Sequence, residues 1–419
     1  MLGTLKNAWR IPDLRKKLTF TLAMFIVFRL GSHIPVPGID AAQLQELFEG
    51  ETLFGFMNII AGGALSMLSI FAMGIMPYIN ASIIMQLLTV VIPKFEQWSK
   101  EGAEGRKKLA QYTRYGTVIL AFLQATGMTF GLLRPAMDQH SFAAYMVVII
   151  TLTAGTAFLM WLGEQITDKG IGNGISLLIF AGIVSRIPQG LTQLYTLVVE
   201  GQLNILVVVL LAVIILGVIM GIVALQEGQR KIPVQYAKKV VGRKMYGGQS
   251  THIPLKVNQA GVIPVIFASS ILMFPETIVQ FIQHPWAIWI AERIGFGTLP
   301  NTILYVILII FFTYFYTAIQ FNPQDMAENM KKYGGFIPGI RPGKPTADYL
   351  SRVMDRITLA GSLALAGIVV LPIALQGVID LNIMFGGTAM IIMVGVALET
   401  MKQIESQMLM RHYEGFMKK

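Results

Sequence analysis

Long apolar runs separated by short polar or charged stretches set the rhythm of this 419-residue chain. A bilayer core takes about 20 residues of helix, and runs bounded by turn residues and charges predict ten spans. They fall at roughly 18–32, 70–92, 115–133, 142–162, 174–191, 203–224, 261–282, 302–320, 357–375 and 381–401, on a helix-length criterion. The pattern predicts an all-α membrane protein.

The stretch from Gly62 to Pro93 departs from that rhythm. It is almost free of charge, too long for one simple span, and interrupted by Gly74-Ile75-Met76-Pro77. Proline removes a backbone donor and disfavours helix in the residue before it, so a break is expected here. Residues 54–69 should form a short piece and 70–92 a full span. Broken backbone at membrane depth is tolerated only inside protein or beside a water-filled cavity, so this segment should line something. The short piece carries Gly55, Gly62 and Gly63 among the small residues Ala61, Ala64, Ser66 and Ser69, which makes a poor spanning helix. Two readings stay open, a packed re-entrant element and a movable stopper inside a cavity, and the residues favour the first.

The interruption occurs twice. Gly261-Val262-Ile263-Pro264 repeats it, and one constant offset aligns Gly74 with Gly261, Pro77 with Pro264, Ile79 with Ile266, Ala81 with Ala268, Ser82 with Ser269 and Ile84 with Ile271. Interrupted segments at corresponding places in two halves point to the working site of a repeat-built membrane protein. Five spans per half is an odd number, so the second half enters inverted. The halves are read as 1–193 and 194–419, joined by a loop over 187–202.

Composition agrees, with 54% hydrophobic and 13% charged residues. Threading the spans across a membrane leaves only Arg29, Arg134, Arg186 and Arg293, of 33 Lys and Arg, opposite the N-terminus. By the positive-inside rule both termini are expected in the cytoplasm. The basic start followed by an apolar run has no small-residue cleavage site after it, so it is read as a retained first span and not a leader. The chain holds no cysteine, and its five histidines lie far apart, so no metal centre is expected.

Several chemistries are not visible. No charged side chain falls in the middle of a span, and Glu164, Glu399 and Arg29 sit at ends where they can reach the interface. Ion-coupled transporters keep a charge at mid-membrane, so a transporter with inverted repeats, the principal alternative, is disfavoured. A scaffold without a pore would leave the broken spans unexplained. The run from Gly170 to Gly174 follows no strand and reads as a tight turn before the fifth span, not a nucleotide loop. No catalytic constellation appears, so neither enzyme activity nor a cofactor is expected, and any work done by ATP must come from a partner.

Two cytoplasmic loops are longer than span connections need. The loop at 226–259 carries Arg230, Lys231, Lys238, Lys239, Arg243, Lys244 and Lys256 and predicts a hairpin of two short strands or helix-like turns around Gly242 and Gly247-Gly248. The loop at 321–351 carries Lys331, Lys332, Arg341 and Lys344 among Gly and Pro turn signals. Together they predict a basic platform. Topology determinants lying on anionic lipid and a docking surface for an acidic partner such as RNA phosphate both fit.

Five segments carry a resemblance: Gly74 to Ser82 (GIMPYINAS), Gly170 to Ser176 (GIGNGIS), Gln249 to Asn258 (QSTHIPLKVN), Gly261 to Ser270 (GVIPVIFASS) and Gly335 to Gly343 (GFIPGIRPG). They resemble the signature segments of the SecY family, central channel subunits of the bacterial protein translocase. The resemblance implies a ten-span clamshell, hinged near spans five and six, around an hourglass pore for unfolded polypeptide in the cytoplasmic membrane. It implies a pore ring of Ile79, Ile83, Ile179, Ile183, Ile266 and Ile392, which would otherwise be read as ordinary packing. It turns 54–69, with Gly62, Gly63 and Ser66, into a plug. Spans two and seven, with three and eight, become a lateral gate to lipid parted by signal peptides, with Gln86 and Asn258 as a buried amide pair. Arg243, Lys244 and Arg341 become docking residues for the ribosome or the SecA motor. SecE and SecG are the implied companion subunits, and nascent polypeptides the substrate.

Overall fold

The computed structural model describes residues 8–39, 61–137, 139–201, 203–236, 239–241, 244–246, 250–272, 285, 289, 293, 295, 298–379 and 387–417. Helix α1 (Pro12–Gly31) starts earlier than expected because Pro12 fits the first turn and Asp13 sits at the positive end of the helix dipole. The expected full span from residue 70 is corrected. Residues 61–75 form a succession of turns, and α2 (Met76–Val91) begins only after Gly74, whose left-handed backbone at φ +57° turns the chain. At 16 residues α2 is about 24 Å long. It then bends by 100° into α3 (Pro93–Lys100) at Pro93. Helix α4 (Ala103–Met128) packs against α2 and ends in a widened turn at Thr129–Leu133. Helix α5 (Phe142–Lys169) follows.

Helix α6 (Gly174–Ser185) is capped by Asn173, whose side chain accepts from the amides of Ile175 and Ser176. The Gly-rich run is thus a helix start, as the turn reading required. The joining loop expected at 187–202 is corrected too: Pro188 opens a further helix, α7 (Ile187–Val199), without a charged residue in it.

In the second half, α8 (Ile205–Glu227) leads into β1 (Gln229–Tyr236), β2 (Lys239–Val241), β3 (Lys244–Tyr246) and β4 (Ser250–Lys256). Helices α9 (Ile263–Leu272), α10 (Leu299–Gln320) and α11 (Pro323–Lys332), strand β5 (Gly335–Phe336), and helices α12 (Lys344–Ile379) and α13 (Gly387–Met417) complete the order. The strand reading of the first long loop holds, since β1 pairs with β4 antiparallel from Gln229↔Lys256 to Gln235↔Ser250. The second loop joins it, with β5 pairing through Gln235↔Phe336 and Tyr236↔Gly335. One sheet, β4-β1-β5, therefore unites the two basic loops. Ile232, Val234 and Leu255 seat it on Leu350, Val353 and Met354 of α12.

Among the described residues six helical stretches are long and apolar enough to cross a membrane, or seven if the bent α2–α3 pair is one span. Parts of the expected spans seven and ten, 273–282 and 381–386, lie outside the described residues. Contacts between the inverted halves include α2 against α9 and α6 against α13.

Candidate functional site

The six isoleucines singled out from the sequence come from α2, α6, α9 and α13, and they are brought together. Ile79, Ile83, Ile179, Ile183, Ile266 and Ile392 are all buried and belong to one apolar cluster. Spacing by four puts Ile79 with Ile83, and Ile179 with Ile183, on single helix faces. Ala61 and Ala64 of the Gly-rich segment pack into the same cluster, while its Leu65 and Leu68 pack into a second one with α4 and α5. Residues 54–60 of the expected plug lie outside the described residues.

The two ends of the described segment are held differently. Its far end is locked: the Val36 amide donates to Leu68 O at 2.8 Å and the Ile70 amide to Ile34 O at 2.9 Å. The Phe71 ring stacks between Phe28 and Phe158, centroids 6.2 and 5.8 Å away. At the near end Arg29 Nη1 donates to Gly62 O at 2.7 Å and to Ser185 Oγ at 3.2 Å. The α-carbon of Gly63 faces the Arg186 guanidinium, and a Cβ there would lie 3.4 Å from it. Arg186 is itself buried and donates to Gln189 Oε1 at 3.1 Å. Ser66 Oγ donates to Gly63 O at 3.0 Å. Arg29, expected at a span end within reach of the interface, turns one guanidinium nitrogen to the Gly62 carbonyl, because unpaired backbone carbonyls are costly in an apolar surround.

Gln86 and Asn258 were expected as a bonded pair, and they are not one. Asn258 Nδ2 donates to Gly261 O at 2.9 Å, closing the turn before α9. The carbonyl oxygens of both amides, Gln86 Oε1 and Asn258 Oδ1, are buried without a hydrogen-bond partner. Deeper in the second half, Tyr305 of α10 and Thr388 of α13 share a buried hydrogen bond of 2.8 Å.

On the sheet side, Arg341 is exposed in a turn fixed by Thr346 Oγ1, which donates to Arg341 O at 2.8 Å. Lys331, Lys332 and Lys344 are exposed as well. Lys244 sits in β3, and Arg243 lies outside the described residues. Between α4 and α5, Arg114 Nε meets Glu164 Oε1 at 2.7 Å, and that hydrogen bond pushes the guanidinium's already high pKa further up. Among the described residues no group of His, Asp and Glu could hold a metal ion.

The SecY family model matches residues 69–401. The chain belongs to the SecY family. Over 431 aligned residues it is 53% identical to a protein translocase subunit SecY of Halalkalibacterium halodurans, covering all of both chains. Its fold matches a SecY structure in which the plug domain is described as stabilising the closed translocation channel and maintaining a membrane seal. There the TM-score is 0.69 at 20% identity over 96% of each chain. Canine Sec61 in a ribosome–channel complex matches with a TM-score of 0.63 at 18% identity, again over 96% of each chain. Ten spans in two inverted halves is the SecY-family architecture, and this chain is a multi-pass membrane protein.

Sequence reasoning missed the inward role of Arg29 and Arg186. A signal was present, because both are among the four cations that break the charge sorting. A cation kept on the wrong side of a membrane protein needs a local reason.

Proposed function

We propose that this SecY-family chain is the protein-conducting channel of a translocase, passing unfolded secretory polypeptides across a bacterial cytoplasmic membrane and releasing transmembrane segments sideways into lipid. The observation that carries this is the convergence of six isoleucines from four helices of both halves in one buried cluster. A narrow apolar constriction binds neither water nor ions well and so resists leak. It also gives a passing chain no specific hydrogen bond on which to stall. Such a role needs no catalysis.

In this reading the six isoleucines are the pore ring, and the Gly-rich segment containing Gly62, Gly63 and Ser66 is the plug against it. The α2–α9 seam is the lateral gate, flanked by α4 on one side and α10 on the other, with Gln86 and Asn258 beside it. The halves 1–193 and 194–419, whose boundary falls within α7, would part there around a hinge near spans five and six, α6 and α8. The joining of the two basic loops by one sheet supports a docking role for Arg243, Lys244 and Arg341, which those loops carry outside that sheet, toward the ribosome or the SecA motor. SecE and SecG would complete the complex, and both termini would face the cytoplasm.

The test uses the absence of native cysteine. A single Cys is placed at Ile79 or Ile266, a secretory precursor with one Cys is arrested in transit, and disulfide formation is scored. Crosslinking at either position, absent at the lipid-exposed control Val213, is the expected result. An engaged precursor that crosslinks at neither position would move the path elsewhere.

A further inference from the structure

We propose that Arg29 is a latch on the Gly-rich segment and, through it, a determinant of how strong a signal a precursor must carry to open the channel. This rests on the plug reading above. The segment is built to pivot. At residues 68–72 it is fixed by backbone pairing to Ile34 and Val36 and by the ring stack. A Cβ on Gly155 would collide with the Ile70 carbonyl, and one on Gly31 with the Phe71 ring. Nothing at that end can shift without breaking packed contacts.

The end at Gly62 and Gly63, whose small neighbours Ala61 and Ala64 pack into the isoleucine cluster, is also held by a hydrogen bond to a charged group. Both glycines take left-handed backbone, with φ +67° and +89°. That geometry presents the Gly62 carbonyl to Arg29. The absent side chain also lets Gly62 lie against α6, since a Cβ would approach Gly182 Cα to 3.0 Å and Ser185 Oγ to 3.2 Å. A charge-assisted hydrogen bond is strong while aligned. It weakens steeply with distance and angle, and water can replace it. Burial gives no such sharp release.

The third partner supplies the coupling. One guanidinium nitrogen of Arg29 serves both Gly62 O and Ser185 Oγ, and Ser185 ends the helix that carries Ile179 and Ile183. When a polypeptide pushes α6 outward to widen the ring, Ser185 moves with it. The guanidinium must then leave one of its two acceptors, and the segment is freed at the end that pivots. Ring widening and release of the segment become one event. Lysine would hold the two acceptors less well, because its ammonium rides on a flexible stem whereas the planar guanidinium fixes the direction of Arg29 Nη1.

The test uses the assembled translocase carrying one Cys at Ser66. Arg29→Met, Arg29→Lys and Ser185→Ala are compared for two readouts. One is the labelling rate of that Cys by a membrane-impermeant maleimide added outside, and the other is export of a precursor with a defective signal sequence. Losing a hydrogen bond to a charged group predicts an increase of about tenfold or more in both for Arg29→Met, with Arg29→Lys and Ser185→Ala between it and wild type. Unchanged labelling and export in the assembled Arg29→Met channel would overturn the latch. Should Arg29→Met fail to assemble, the Lys and Ser185→Ala channels decide on the same readouts. Deletion of residues 61–66 separates the two claims. With the segment gone, Arg29→Met should add nothing, and an undiminished effect there would overturn the latch and spare the plug reading. A deletion that leaves ion leak and signal stringency at wild-type levels would instead remove the plug reading, and the latch with it.

Discussion

Gly74 and Gly261 hold the same left-handed backbone, with φ +57° and +65°, at matching places in the two halves. Each is followed within two residues by the start of a helix with proline in its first turn, Pro77 in α2 and Pro264 in α9. The repeat seen in the sequence is therefore a repeat of geometry. An alanine at Gly261 would meet no neighbour, and one at Gly74 only the Cβ of Ala61 at an ordinary 3.5 Å. Strain alone should then set the cost, about 1–2 kcal/mol at either site. Thermal unfolding of the purified complex should show similar drops for Gly74→Ala and Gly261→Ala, and a neutral Gly261→Ala would contradict the strain argument.

Gly155 predicts a larger effect. Its α-carbon lies against the Ile70 carbonyl, which is backbone and cannot swing away. Gly155→Ala should lower stability by about 3 kcal/mol, at the upper end of overpacking costs, and deplete assembled channel in the membrane. Wild-type abundance and melting in this variant would show that α5 can move aside.

The apolar ring reading predicts a leak when the cluster is made polar. Ile79→Asn or Ile266→Asn puts an amide where dry packing now excludes water, so ion conductance of the idle channel should rise about tenfold or more. Planar-bilayer recording reads this directly, with Val213→Asn as the control outside the cluster.

Gln86 and Asn258 reverse the sign that a bonded pair would give. Their carbonyl oxygens are buried and unpartnered in this packing, and leaving a buried acceptor unsatisfied costs about 1–3 kcal/mol. In the gate reading, the amides would work against closure of the α2–α9 seam. Gln86→Leu should tighten it, reducing export of precursors with weak signals several-fold and sparing those with strong ones. Increased export of weak signals would restore the pair model.

Arg341 is exposed, and its turn is fixed through backbone. Reversing it to Glu should thus leave assembly and melting unchanged, as surface substitutions generally do, and lower motor-driven export at least about tenfold if it meets an acidic partner. Wild-type export rates in Arg341→Glu would remove it from the docking surface.

The sequence by itself determined what the bilayer forces on a chain. Apolar length placed the spans and the doubled Gly-x-x-Pro exposed the inverted halves, because lipid penalises unpaired backbone everywhere along the chain. The six ring isoleucines were legible only through the family resemblance, since isoleucine in a span is ordinary packing until helices from both halves meet. Tertiary structure decided the rest. Span two starts at Met76 and not at residue 70, because a left-handed Gly74 and the pairing of Ile34 and Val36 with 68–70 compete with helix. The basic loops share one sheet, because β5 reaches β1 across about a hundred residues of chain, a contact no local pattern encodes. Arg29 meets the Gly62 carbonyl, 33 residues away in the chain, because hydrogen-bond partners in an apolar surround come from wherever the fold brings a carbonyl.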